Sequence, residues 1–202
     1  MINLHGLVGA HRVGKSTLAE TLACTLRGEY MPIGISVMQH SIGYSSAKQD
    51  YPWHTRKHIQ ECLLDLFDQK LVDINKRVFP QHMTRDIMNI FSDRTPLDLI
   101  GYAMWSFPKE PTEADQEWMQ EYTEECIDLT NKFYDVVALV QPGIPLGESP
   151  TSAAADPDMI ETFNQCYLSL MLDPRITVKK IIIPRECTDL IERGKLVLGL
   201  HS

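Results

Sequence analysis

Residues 9–16 read Gly9-Ala10-His11-Arg12-Val13-Gly14-Lys15-Ser16, with Thr17 next, and no other stretch of the 202-residue chain restricts the fold so sharply. The two glycines let the backbone turn so that successive N–H groups converge on one point. An apolar run, Ile2–Val8, leads into them and has the length and composition of a buried parallel strand. An amphipathic run over residues 16–26 leads out, with Leu18, Leu22 and Leu26 on one face, Ala19 and Ala23 beside them, and Gly28 as the expected stop. Strand, glycine loop and helix are the context in which G-x-x-x-x-G-K-S reads as a phosphate-binding P-loop. The N–H nest then sits on a helix N-terminus, whose dipole favours negative charge. Lys15 has the reach for the β- and γ-phosphates, and the Ser16 hydroxyl can ligate magnesium. The nine residues Gly9, Ala10, His11, Arg12, Val13, Gly14, Lys15, Ser16 and Thr17 are therefore expected to hold ATP with Mg2+.

Further strands are expected at residues 33–38, 86–92, 136–140 and 177–183, with a polar loop over 39–52. Helices are expected at residues 53–75 and 96–105, after the Thr112-x-x-Asp115 capping box, from Asp156-Pro157 onward, and at 186–193 with Gly194 as a stop. Such alternation predicts an α/β architecture: a P-loop NTPase three-layer fold with a five-stranded, mostly parallel sheet and helices on both faces. Neither a repeat nor a linker divides residues 1–202, so one domain is expected. Residues 141–157 are rich in Pro, Gly, Ser and Ala and form a candidate lid loop. In a parallel sheet ligands bind beyond the carboxyl ends of the strands. The P-loop, residues 38–43, Asp93-Arg94 and the lid should therefore share one cleft.

The formal net charge of −8 and pI of about 5.3 argue against tight non-specific binding to nucleic acid, leaving only a local basic groove open. Five scattered cysteines with no C-x-x-C pair suggest reduced thiols and a cytoplasmic protein, in the host cytoplasm if a phage encodes it. Neither a signal peptide nor an apolar run of membrane-spanning length is expected, so no membrane partner is. A homodimer stays open.

Asp93-Arg94 is the second informative pair. An acidic residue at a strand end can hold magnesium or its water shell, or take a proton from an acceptor hydroxyl, and Arg94 offers a planar fork for phosphate. A strand-end salt bridge is the structural alternative. The pair resembles the strand end of thymidylate kinases and, as Glu/Asp-Arg-Ser, of deoxynucleoside kinases. Against the thymidylate kinase pattern D-R-Y-x-x-S-x-x-A-Y, Asp93, Arg94 and Tyr102 match in register. Arg12 stands where some of these kinases carry a P-loop arginine, with His11 replacing an Asp. The stretch from Phe133 to Pro174 holds no Lys or Arg, as in the variants without a lid arginine. The layout also resembles phage-type deoxynucleoside monophosphate kinases and P-loop kinases related to nicotinamide riboside kinase. Two departures stand out: residues 36–39 read Ser-Val-Met-Gln where an Arg-Glu-Pro signature is expected, and Ala103 replaces a Gln.

The resemblance implies a P-loop kinase that moves a phosphoryl group from a nucleoside triphosphate to a (deoxy)nucleotide acceptor. Lys15, Arg12, Asp93 and Arg94 would be its catalytic groups, with Ser16 and Asp93 on magnesium. Arg94, Tyr102, Asp98 and Ser36 would meet the acceptor, Tyr102 packing against the sugar. A nucleoside kinase, a kinase of a hydroxylated modified base in phage DNA (5-hydroxymethyluracil type), and a P-loop ATPase or switch are the other readings. Several side chains have both a functional and a plain interpretation. His54 and His58 are four apart on a helix and can bind a metal or lie on a solvated face. Tyr51 and Trp53 can stack on a base or staple the helix start. Gln60 can read a base edge or be solvated, and Arg185 can lie near the donor base.

Overall fold

The computed structural model describes residues 2–45, 51–76, 88–145 and 156–200. Within them the order is β1 (Ile2–Val8), α1 (Lys15–Thr25), β2 (Glu29–Met31), α2 (Ile35–Ser41), α3 (Trp53–Asn75), β3 (Met88–Ser92), α4 (Pro96–Trp105), α5 (Glu113–Phe133), β4 (Val136–Val140), α6 (Pro157–Leu172), β5 (Lys179–Ile183) and α7 (Leu190–Leu198). The strands form one sheet in the order β2-β3-β1-β4-β5, and every pairing is parallel. β1 and β4 lie inside and read as nearly continuous apolar runs because both faces are covered. Right-handed crossovers put the helix of a leftward step and that of a rightward step on opposite faces. Accordingly α1 packs with α7, while α3, α4, α5 and α6 pack among themselves. No helix among the described residues is long and apolar enough to cross a membrane.

Two expected elements are displaced. Residues 33–38 are not a strand: β2 lies earlier, at Glu29–Met31, and Ile35–Ser41 is helix α2, which buries Met38 and Gln39. The run of β-branched residues mimics a strand, but Pro32 has no N–H to extend the ladder and Gly34 opens a helix. The last helix begins at Leu190 rather than residue 186, because the Asp189 carboxylate caps the N–H groups of Ile191 and Glu192. Gly194 is not its stop. It lies inside α7 where a Cβ would come within 3.2 Å of Leu22 Cδ2, and the helix ends instead at Gly199, φ 70°. The remaining predicted helices agree with the structure to within a residue, including both capping boxes' helices, α4 and α5. Residues 86–87 of the expected third strand and 146–155 of the candidate lid lie outside the described residues.

The sheet order places a topological switch between β1 and β3: the connection after β1 runs to one side of the sheet and that after β3 to the other. Their register pairs Gly6 with Ser92, so the P-loop and Asp93 leave the sheet side by side.

Candidate active site

Three residues of the loop after β1 adopt positive φ: Gly9 at 150°, Arg12 at 64° and Gly14 at 89°. At Gly9 a Cβ would fall 2.6 Å from the Val140 carbonyl, so the strand-to-loop turn requires glycine. Gly14 is the N-cap of α1 and has no side-chain cap, which leaves the first-turn N–H groups to a ligand. Ala10 and Val13 are buried under the loop, and the His11 ring meets Phe163 of α6 edge-on at 6.4 Å. Thr17 is exposed, its carbonyl accepting from Thr21 Oγ1.

Lys15 folds back over this loop, its Nζ donating to the Gly9 and Ala10 carbonyls at 2.6 Å each. The side chain is 5% exposed. Burial and then the nearby Arg94 charge depress its pKa to about 7, against the opposite pull of Asp98 and Asp93. Asp93, buried at the end of β3, collects three donors: Ser16 Oγ at 2.6 Å and Tyr30 OH at 2.7 Å on Oδ2, and Ile33 N–H at 2.9 Å on Oδ1. Burial, with this bond to Asp93, pushes the Tyr30 phenol up to about 12, so Tyr30 stays a neutral donor. A serine hydroxyl has one proton and two lone pairs. With its proton on Asp93, Ser16 keeps its lone pairs for a hard cation, and the carboxylate adds further oxygen, a donor set that fits magnesium.

Arg94 reaches the other way. Its Nη1 donates to Asp98 Oδ1 at 2.9 Å and its guanidinium lies 5.9 Å over the Tyr102 ring. Asp98 is fully buried and also accepts from the Thr95 N–H and hydroxyl, closing the capping box of α4. Asp98, expected at the acceptor, is thus enclosed in the protein with its oxygens bonded to Arg94 and Thr95. Ser36, also expected at the acceptor, is exposed on α2 and its carbonyl accepts from His40 Nδ1; the residues of α2 that face the cleft are Ile35 and Gln39.

That cleft lies between α2, α3, α4 and α6. Tyr51, Arg56, Gln60, Tyr102, Trp105 and Met159 complete its walls. Gln60 is buried rather than solvated, and its Oε1 accepts from Tyr122 OH at 3.1 Å, which orients the amide. Tyr51 lines the cleft. Trp53 does not: its Nε1 donates to Asp115 Oδ1 at 2.7 Å and its ring packs on Phe107 and Trp118, so it staples α3 to α5. His58 packs against Tyr44 and Cys62, and no group of three metal-ligating side chains occurs among the described residues. Arg185 pairs with Glu161 at 2.5 Å, and a second hollow, lined by Arg12, Val13, residues 142–145, Pro157, Ile160 and Glu161, lies beside that pair. Tyr30 and Arg193, whose Nη1 donates to the Val13 carbonyl at 3.0 Å, were not anticipated from sequence. Placing β2 at 29–31 would have brought Tyr30 to a strand end; nothing local betrays Arg193.

No protein-family model and no curated protein matches the chain. Solved structures share its fold. A deoxyadenosine kinase from M. mycoides, solved with the products dCMP and dCDP, aligns with TM-score 0.60 and 16% identity over 97% of both chains. A thymidylate kinase from Ehrlichia chaffeensis aligns with TM-score 0.57 and 12% identity over 98% of this chain and 96% of that one. A NadR protein in complex with NAD and AMP-PNP aligns with TM-score 0.63 and 13% identity over 98% of this chain but 48% of its own. The chain therefore has the α/β fold of P-loop nucleoside and nucleotide kinases.

Proposed function

We propose that this chain catalyses ATP- and magnesium-dependent phosphoryl transfer to a (deoxy)nucleoside monophosphate. One observation supports this above others: Ser16 of the P-loop bonds Asp93, and the next residue, Arg94, lies over the ring of Tyr102, which in turn lines the cleft between α2, α3, α4 and α6. Donor phosphates would rest on the N-terminus of α1, where Lys15 exchanges the Gly9 and Ala10 carbonyls for phosphate oxygens. Arg12, in the loop itself, would add charge where a lid arginine is missing. Ser16 and Asp93 would hold magnesium, which when bound supplies further charge neutralisation. With three donors already on Asp93, its part is to hold and orient rather than to remove the acceptor proton. Arg94, fixed by Asp98, would fork onto the acceptor phosphate. Tyr102 would pack on the sugar, and the Gln60 amide would meet the base. Such a reaction needs positioning and charge more than covalent help.

The Arg94–Asp98 pair also favours a second reading, a nucleoside acceptor, in which Arg94 keeps its internal partner and no acceptor phosphate needs it. A panel of deoxynucleosides, their monophosphates and DNA bearing hydroxymethylated pyrimidines, each with ATP and magnesium, tests both through ADP release. Fastest turnover on a monophosphate is the expected result. Turnover on nucleosides alone supports the second reading, on modified DNA alone a DNA-base kinase. ADP release independent of every acceptor leaves an ATPase.

A further inference from the structure

Arg193 of α7 is the largest side chain in the fully buried core, 1% exposed. Its Nε donates to the Cys187 carbonyl at 2.5 Å and its Nη1 to the Val13 carbonyl at 3.0 Å. Its Nη2 is buried with no partner, and no carboxylate pairs with it among the described residues. A buried guanidinium with an idle nitrogen and no counter-ion costs stability that an apolar side chain of equal volume would not. No peptide of the described chain is cis, and in a trans peptide the C=O and the next N–H point in opposite directions. Drawing the Val13 oxygen toward α7 turns the Gly14 N–H the other way. Gly14 is the uncapped N-cap of α1, wedged between Ile144 and Arg193: a Cβ there would lie 3.1 Å from Ile144 Cδ1 and 3.5 Å from Arg193 Nη1.

We propose that Arg193 is a positioning residue of the donor site: it locks the Val13–Gly14 peptide so that the Gly14 N–H is presented to the triphosphate before it arrives. This rests on the reading of the P-loop as the triphosphate site but not on the identity of the acceptor. It also links that loop to the 184–189 turn, since the same guanidinium holds the Cys187 carbonyl.

The test compares Arg193→Met, which keeps the stem and loses every donor, with Arg193→Lys, which keeps the charge and a donor. Calorimetric ATP affinity, the KM values for ATP and acceptor, and Tm are measured for each. The expected result is at least about tenfold weaker ATP binding in Arg193→Met, acceptor KM within about twofold, and partial recovery in Arg193→Lys. Methylguanidinium added to Arg193→Ala should lower the KM for ATP. Wild-type ATP affinity in a folded Arg193→Met protein overturns the proposal. So does a parallel loss of ATP affinity, acceptor affinity and Tm, which describes an ordinary brace. If Arg193→Met does not fold, Arg193→Lys decides: equal loss at both substrates overturns the proposal, and loss at ATP alone supports it. A wild-type protein that binds no ATP removes the donor-site reading and this proposal together, whereas a misassigned acceptor leaves the ATP measurements intact.

Discussion

The P-loop, proposed as the donor site, and the cleft between α2, α3, α4 and α6, proposed as the acceptor site, are built differently. The proposed donor end is a backbone structure: consecutive residues 9–17 supply the loop, and Lys15, Ser16 and Arg193 all bond main-chain or strand-end groups around it. The proposed acceptor end is a side-chain structure, assembled from α2, α3, α4 and α6 with residues as far apart as Ile35 and Met159. Phosphate presents the same oxygens whatever nucleoside carries them, so a nest of N–H groups serves every donor. A base and sugar must be told apart by shape and by single hydrogen bonds, which side chains on rigid helices supply. Damage at the donor end should stop the chemistry, and damage at the acceptor end should redirect it.

Lys15→Ala makes the strongest test, with activity expected to fall by about a thousandfold or more. A folded Lys15→Ala protein with substantial turnover would dissolve the distinction between the two ends. Asp93→Asn comes next: kcat should drop about a hundredfold while ATP affinity changes much less, since the carboxylate holds the Ser16 end of the site rather than the base. Equal losses in both would assign Asp93 to structure.

The depressed Lys15 pKa gives the donor end a pH signature. Burial lowers the Lys15 pKa toward neutrality, and on the proposed reading phosphate binds the charged form, so ATP binding at alkaline pH should take up a proton. ATP affinity should level off well below pH 7 and fall about tenfold per pH unit well above it, to about thirtyfold by pH 8.5. Calorimetry in two buffers of different ionisation heat reads that proton directly. Folding stability moves the opposite way: a Lys pKa lowered in the folded state penalises the free fold fully below about 7, and the penalty fades as pH rises toward the unfolded value.

At the acceptor end effects should be smaller and selective. Arg94→Lys keeps charge but loses the fork, and should raise the monophosphate KM about tenfold, or about 1.4 kcal/mol, with ATP affinity changing less. An unchanged KM in a stable Arg94→Lys protein would favour the nucleoside reading. Tyr102→Ala should relax discrimination against ribonucleotides by a few-fold, and Tyr102→Phe should be nearly silent, because the proposed contact is the ring. If Tyr102→Ala loses stability in step with activity and acceptor preference stays put, the ring is core rather than wall.

The same contrast decided what could be read from sequence. The P-loop, β1 and α1 are contiguous, and their residues carry spacing rules that need no partner. Asp93 and Arg94 were legible because a strand end is a local event. The enclosure of Asp98 was not legible, because sequence shows its chemistry but not that Arg94 and Thr95 take up its oxygens. The strand at 33–38 was misplaced because β2 is a three-residue edge strand with one buried position, too short to outweigh the β-branched run that follows. Gln60 and Tyr122 sit on separate helices, and their pairing is a fact of packing alone. Arg193 is the extreme case: a charged residue in a helix reads as solvated, and its burial depends on α7 lying against a loop 180 residues away.

The sheet order carries one more consequence, for life at high concentration in a crowded cell. Among the described residues its two margins are β2 and β5, and a sheet margin left unpaired is a template on which another chain can add a strand. β2 limits this by brevity, offering three residues. β5 has five and an exposed Ile182, so length does not protect it; two consecutive lysines, Lys179 and Lys180, stand at its start instead. Lysines on a margin repel a like copy and must be desolvated before a foreign strand can dock. The protein thus guards one flank by shortness and the other by charge, and substituting both lysines by valine should leave catalysis alone while making the purified protein prone to fibrillar association.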